Sequence, residues 1–152
     1  VDETTYWSYS AYSSQVEEAE LHRTWLAGEP TVAPSPVTQA YTNFLLTSVF
    51  VDDYVVGAAA VLPCYWLYAQ TGAQIPRISD EHPYAAWLHT YHDDEFAQAT
   101  AQALAIVERA FALAAPQARS RAARAYLTAC RHEMEFFDQA LRVDLDDPGC
   151  DE

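Results

Sequence analysis

Apolar residues recur every three or four positions along most of this chain, and the pattern breaks at proline, glycine and aspartate, as in a series of amphipathic helices. The spacing predicts a first long helix over about Thr4 to Leu26, ending before Gly28, with a joint from Gly28-Glu29-Pro30 to Pro34-Ser35-Pro36. Ser35 can cap a second helix, and Pro36 suits its first position because the missing N–H would be unpaired there anyway. That helix runs from about Val37 to Phe50 with Tyr41, Phe44, Leu45 and Ser48 on one face, so Tyr41 is expected to point inward. Asp52 or Asp53 starts a third helix that stops near Gly72, and its first part, Val55 to Val61, is apolar all round, as expected of a central element.

Pro63 interrupts that third helix. A proline inside a helix removes one backbone hydrogen bond and collides with the preceding turn, at about 3 kcal/mol, so a kink is expected in Leu62-Pro63-Cys64-Tyr65-Trp66-Leu67-Tyr68. Cys64 and Tyr68, four residues apart, then share a face. Beyond a loop with Pro76 and Ser79-Asp80, Pro83 is expected at the first position of a fourth helix. Tyr84, Trp87, Leu88 and Tyr91 fall on one stripe there, with Tyr84 and Trp87 expected in the core. Asp93 or Asp94 caps a fifth helix through about Ala114, and after Pro116 a sixth reaches Val143. About six helical segments and no internal repeat result.

Composition agrees with an all-helical domain. The 152 residues are 51% hydrophobic with only four glycines, enough for one compact core and too few for two ordinary domains. We expect one domain over residues 1–143 and an acidic tail over 144–152. The net charge of −14 argues against nucleic-acid or anionic-membrane partners, which call for clustered Lys and Arg. The longest apolar run, Val55 to Ala69, is shorter than the roughly 20 residues a spanning helix needs. Cys64, Cys130 and Cys150 form no CxxC pair, and their odd number suits a reducing cytoplasm.

Candidate chemistry gathers at two places. In Cys130-Arg131-His132-Glu133-Met134-Glu135-Phe136-Phe137, Glu133 shares a face with Phe136 and Phe137, whereas Glu135 points elsewhere. A carboxylate on an aromatic surface is disfavoured when charged, which suits general acid and base work. A cysteine attacks only as thiolate, so Cys64 beside such a proton acceptor would serve as a nucleophile. On spacing alone, Cys64 also reads as a buried structural thiol and Glu133 as a helix-surface residue.

Other constellations are weaker. Glu18 and His22, with His132, Glu133 and Glu135, offer ligand atoms for a di-metal carboxylate site, but such bundles use Glu-x-x-His on two helices and this sequence has none. His22, His89 and His92 read as surface residues, His82 as a turn residue, and Cys130 and Cys150 as structural or incidental. Ser48 has no visible His and Asp partners.

Four of these features, in order, resemble the TenA family, the enzymes called thiaminase II or aminopyrimidine aminohydrolase. They are Pro34-Ser35-Pro36 with Tyr41-Thr42, the Leu62 to Tyr68 run, His82-Pro83 with Trp87 and Thr90-Tyr91, and Glu133 with Phe136-Phe137. The similarity extends from about Glu17 to Arg142. It implies an all-α, haem-oxygenase-like helical bundle, a homotetramer in the cytoplasm, and no metal or organic cofactor. The implied activity is hydrolysis of aminomethylpyrimidine to hydroxymethylpyrimidine and ammonia, or cleavage of thiamin at its methylene bridge. Cys64 would add to the pyrimidine ring, and Glu133 would handle protons for the leaving amine and incoming water. Tyr41, Tyr68 and Tyr91 would stack on or hydrogen-bond the pyrimidine, with Phe136 as a further ring contact.

Cys64 places the chain in the cysteine-containing branch, and Phe137 stands where the family often has Trp. Members of the family are usually longer by several N-terminal helices, which carry an aspartate that binds the pyrimidine, so the bundle is expected to be N-terminally shortened or incomplete. Asp2 could be a remnant of that aspartate or simply a helix cap. A non-catalytic pyrimidine-binding or regulatory protein, and a metal-dependent haem-oxygenase-like oxidase, are the alternative readings.

Overall fold

Residues 2–29 and 32–143 are described by the computed structural model, apart from the side chains of Glu18, Ala86 and Val143. Among them lie seven helices and no strand: α1 (Glu3–Trp25), α2 (Pro36–Val51), α3 (Tyr54–Val61), α4 (Pro63–Gln74), α5 (Ala85–Thr90), α6 (Asp94–Leu113) and α7 (Pro116–Val143). The expected acidic tail, Cys150 within it, and Pro30 lie outside the described residues, as does the side chain of Glu18.

The helix starts obey local chemistry. Asp2 accepts the Thr5 N–H at 3.2 Å, so it is a cap of α1. Ser35 Oγ accepts from Thr38 N at 3.1 Å with Pro36 first in α2, and Asp93 accepts from Glu95 N at 2.9 Å at the start of α6. Asp53 occupies the cap position of α3 without capping it. Its carboxylate and that of Asp52 bind Arg121 of α7 instead, Asp52 at 2.9 Å.

Centrality of the apolar run is confirmed. All six residues from Val55 to Ala60 are buried, and α3 packs against α2, α6 and α7. Ala103, Ile106 and Val107 face it from α6, and Ala118, Ala122 and Ala125 from α7. Gly57 sits at the α2 crossing, where an added Cβ would come within 3.0 Å of the Val49 Cα, so the two backbones touch. From α1, Tyr6 enters the core and donates to the Ala99 carbonyl at 2.7 Å, while Trp7 Nε1 donates to the Tyr54 hydroxyl at 2.8 Å.

Four expectations need correction. The third helix is two helices, because Leu62 falls between α3 and α4 and the buried Pro63 opens the second. The break is gentle: Leu62 stays helical at φ −54°, ψ −37°, and its carbonyl accepts from both Tyr65 and Trp66 at 3.0 Å. Pro83 does not open a helix. The His82 ring accepts the Tyr84 N–H at 3.1 Å and keeps 82–84 in a turn, so α5 begins only at Ala85. Tyr84 is accordingly 57% exposed rather than core, with its ring edge-on to Trp25. His89 and His92 are half-buried, not simple surface residues. Their Nε2 atoms lie 3.3 Å from the Ile78 carbonyl and 2.9 Å from that of Ile75, in the loop after α4 whose backbone has no ladder partner. No described helix is long and apolar enough to cross a membrane.

Candidate active site

A buried stripe on α7 decides where Glu133 goes. Ala118, Ala122, Ala125 and Ala129 are buried at helical spacing, and Glu133 takes the next place on the same stripe with 3% of its surface exposed. Glu135, two residues on, is exposed. The core therefore receives a carboxylate where its own periodicity calls for alanine. Such burial needs compensation by hydrogen bonding.

Tyr41 supplies it from α2. Its hydroxyl donates to Glu133 Oε1 at 2.7 Å and lies 3.3 Å from Cys64 Sγ at the start of α4. One phenol thus joins a buried carboxylate to a half-buried thiol, across three helices. The second carboxylate oxygen, Oε2, is buried without a hydrogen-bond partner among the described residues.

The surroundings hold the thiol in its neutral form. Burial pushes Cys64 up to about 12, the nearby Glu133 charge adds to this, and the Tyr41 hydrogen bond opposes it. Tyr41 is itself driven far above an ordinary phenol, first by burial and then by the neighbouring thiol and carboxylate. Tyr68 is raised in the same way by burial, and it feels Glu133, Tyr91 and Cys64.

Beyond this polar centre runs an aromatic wall. The Tyr68 ring lies 5.6 Å from Tyr91 and 5.5 Å from Phe137, and Tyr91 meets Trp87 and Phe96 edge-on at 5.4 and 5.3 Å. Phe136 is half-buried, edge-on to Phe137 at 6.2 Å. Gly72 lets the Tyr91 end of α5 approach α4, since an added Cβ would stand only 2.4 Å from the Tyr91 Cβ. The chain thus brings Cys64, Glu133 and Tyr41 into one cluster, with Tyr68 in its electrostatic range and Tyr91 next to Tyr68.

Sequence reasoning gave three neighbours no part in this pocket, although Phe137 stood in one of the four motifs. His132 stacks on Tyr41 at 5.2 Å and 15° and also touches Phe44, which no motif announced. Phe137, 49% exposed, joins the Tyr68 wall, and Gly72 admits Tyr91. The burial of Glu133, by contrast, had a signal in the alanine stripe. No cluster of three or more His, Cys, Asp or Glu suited to a metal ion occurs among the described residues. A surface groove lined by Glu3, Tyr54, Arg109 and Leu113 lies outside the cluster, and its Arg109 is already bound to Glu3 at 3.0 Å.

Comparison with known proteins identifies the family of the chain. Residues 7–143 match the TENA/THI-4/PQQC family. Over 137 residues, 90% of the chain, the sequence is 51% identical to the thiamine biosynthesis multifunctional protein ThiED of Corynebacterium glutamicum, covering 18% of that protein. It is 28% identical over 110 residues to the aminopyrimidine aminohydrolase of Bacillus subtilis, a stretch that covers 72% of this chain and 47% of that one. It is 29% identical to the aminopyrimidine aminohydrolase of Halalkalibacterium halodurans over 133 residues, 81% of this chain and 59% of that one. The chain therefore spans under a fifth of ThiED and about half of the aminohydrolases.

Proposed function

The chain belongs to the TENA/THI-4/PQQC family, with its haem-oxygenase-like helical fold, and from that premise we propose that it is a hydrolase of thiamin metabolism. Its reaction would convert aminomethylpyrimidine and water to hydroxymethylpyrimidine and ammonia, or cleave thiamin into its pyrimidine and thiazole halves. The names of its relatives support that substrate class. The observation that carries the reading is the single phenol joining Cys64 to Glu133.

Each step uses a contact of that cluster. Because Tyr41 donates its own proton to Glu133, a lone pair of its oxygen is left to accept the thiol proton of Cys64. As the Sγ–carbon bond forms at the pyrimidine ring, the thiol proton passes to Tyr41 and the Tyr41 proton to Glu133. No free thiolate has to persist in a site that disfavours it. The amine then takes a proton from the Glu133 carboxyl and leaves the methylene carbon with the bonding electrons, as the electron pair that thiol addition placed on the ring forms a double bond to that carbon. Water adds to the methylene carbon and gives up a proton to Glu133, and the Sγ–carbon bond breaks as that proton returns through Tyr41 to the sulfur, restoring ring, thiol and carboxylate. The Tyr41 proton arrives on Oε1, so a half-turn of the carboxyl group carries it to the amine, and Oε2, which has no hydrogen-bond partner among the described residues, is the oxygen left to take the proton of the incoming water. Tyr68 and Tyr91 would stack on or hydrogen-bond the flat heterocycle, with Phe136, which reaches the Tyr68 wall through Phe137, as a further ring contact.

No organic cofactor or metal enters these steps. The assembly we propose is a homo-oligomer, a tetramer by family resemblance, acting in the cytoplasm. The described helices are proposed to act as one domain.

The purified chain supplied with aminomethylpyrimidine should release ammonia and hydroxymethylpyrimidine, and Cys64→Ala should abolish turnover while retaining the helical signal. Undiminished turnover in that variant would remove Cys64 from the chemistry. Binding of the pyrimidine by wild type without ammonia release would instead establish the non-catalytic alternative.

A further inference from the structure

A residue outside the proposed chemistry lies against the phenol on which that chemistry depends. Tyr41 must keep its oxygen within reach of two partners on different helices, Cys64 on α4 and Glu133 on α7. A phenol ring free to swing about its side-chain bonds would lose one of them. His132, the neighbour of Glu133 on α7, lies nearly parallel to the Tyr41 ring, with centroids 5.2 Å apart and planes 15° apart. The same imidazole meets Phe44, one turn after Tyr41 on α2, at 5.2 Å. One helix therefore holds Tyr41 twice, by its ring through His132 and by its hydroxyl through Glu133.

The polar atoms of His132 take no visible part in this. Its Nδ1 is buried without a hydrogen bond, and the nearest carboxylate oxygen, on Glu135, stands 3.6 Å away. A buried imidazole nitrogen without a hydrogen bond is unfavourable, so what the ring supplies here is shape and stacking. We propose that His132 is a positioning residue, whose ring stack on Tyr41 fixes the hydroxyl between Cys64 Sγ and Glu133 Oε1. The proposal rests on Tyr41 serving the Cys64–Glu133 pair.

Thiol reactivity reads this out without any substrate. Once the thiol has lost its proton, the Tyr41 hydroxyl can turn its own proton from Glu133 to the sulfur; that bond opposes the rise of Cys64, so losing it lowers the thiolate fraction. Alkylation of Cys64 by iodoacetamide near pH 9, followed by mass spectrometry of the Cys64 peptide, should slow about three- to tenfold in Tyr41→Phe. His132→Ala and His132→Gln should slow it by a similar factor, whereas His132→Phe, which keeps a ring to stack, should restore most of the wild-type rate. In a Tyr41→Phe background the His132 substitutions should have no further effect. Thermal unfolding of each variant confirms that a folded chain is compared, and His132→Gln serves if His132→Ala does not fold.

Unchanged or faster alkylation in His132→Ala and His132→Gln would overturn the proposal. So would an equal slowing in the Tyr41→Phe background, or failure of His132→Phe to restore the rate. Ammonia release from aminomethylpyrimidine, measured on the same proteins, keeps the two readings apart. Absence of turnover in wild type sinks the proposed activity and leaves the alkylation cycle intact.

Discussion

Cys64 keeps its proton to about 12 in the folded chain, against 9.0 for an unperturbed thiol, and that difference has a consequence for stability. Below pH 9 the thiol is protonated whether the chain is folded or not, so its contribution is complete. Between pH 9 and about 12 the folded chain holds the proton while the unfolded chain releases it, and stability falls as pH rises. At pH 10 the loss should be roughly 1 kcal/mol relative to pH 8. Urea unfolding at the two pH values measures it. Cys64→Ala lowers stability at both through lost packing, but the decline from pH 8 to pH 10 should be shallower by that amount. Parallel declines in the two proteins would mean that the thiol is not held neutral by the fold. Removal of the acid-base partner acts on rate instead: Glu133→Gln should lower turnover by about 10²- to 10⁴-fold in a steady-state ammonia assay, since it leaves the shape and removes the proton acceptor.

The helices show a sharper division between what is legible in the chain and what is not. Ser35-Pro36, Asp93 and the all-apolar Val55 to Val61 run are local signals, and each produces the element it predicts. The buried face of α7 was equally readable, since four alanines at helical spacing lead to Glu133. Pro63 and Pro83 show the limit. Both suit a first helical position, yet only Pro63 takes one, because the His82 ring captures the Tyr84 N–H and holds the other in a turn. Side-chain to backbone bonds of that kind depend on a rotamer and leave no periodic trace. The stacking of His132 on Tyr41 is less visible still, since it joins α7 to α2, with four other helices between them in the sequence.

Gly72 turns this into a test at the level of one helix contact. Replacing a glycine by alanine inside a helix ordinarily stabilises it by about 0.5–1 kcal/mol. Here the added Cβ would stand 2.4 Å from the Tyr91 Cβ, next to the backbone of α5, where no side-chain rotation relieves the clash. Gly72→Ala should therefore destabilise the chain by about 1–3 kcal/mol, against propensity. Displacing Tyr91 from the wall should raise KM more than it lowers kcat. Denaturant midpoints and steady-state kinetics check both, and a stabilised variant would show that α4 and α5 have room to part.

Over the whole molecule, 22 acidic residues stand against 8 basic ones. The ion pairs among the described residues are largely at the surface, with Arg109 bound to Glu3 and Arg121 to Asp52 and Asp53. Exposed pairs of this kind contribute little, and salt screens them. Salt also screens the mutual repulsion of the excess carboxylates, which acts against the compact state. With a net charge of −14 the second effect should win, so sodium chloride should stabilise the chain. Raising it from about 0.02 to 0.5 M should lift the unfolding temperature by about 2–4 °C, the shift expected of roughly 1 kcal/mol in a domain of this size. Chloride is the salt to use, because sulfate is excluded from protein surfaces and stabilises folds irrespective of their charge. A fall in unfolding temperature would mean that Arg109 and Arg121, each linking two helices, contribute more than the excess of carboxylates subtracts.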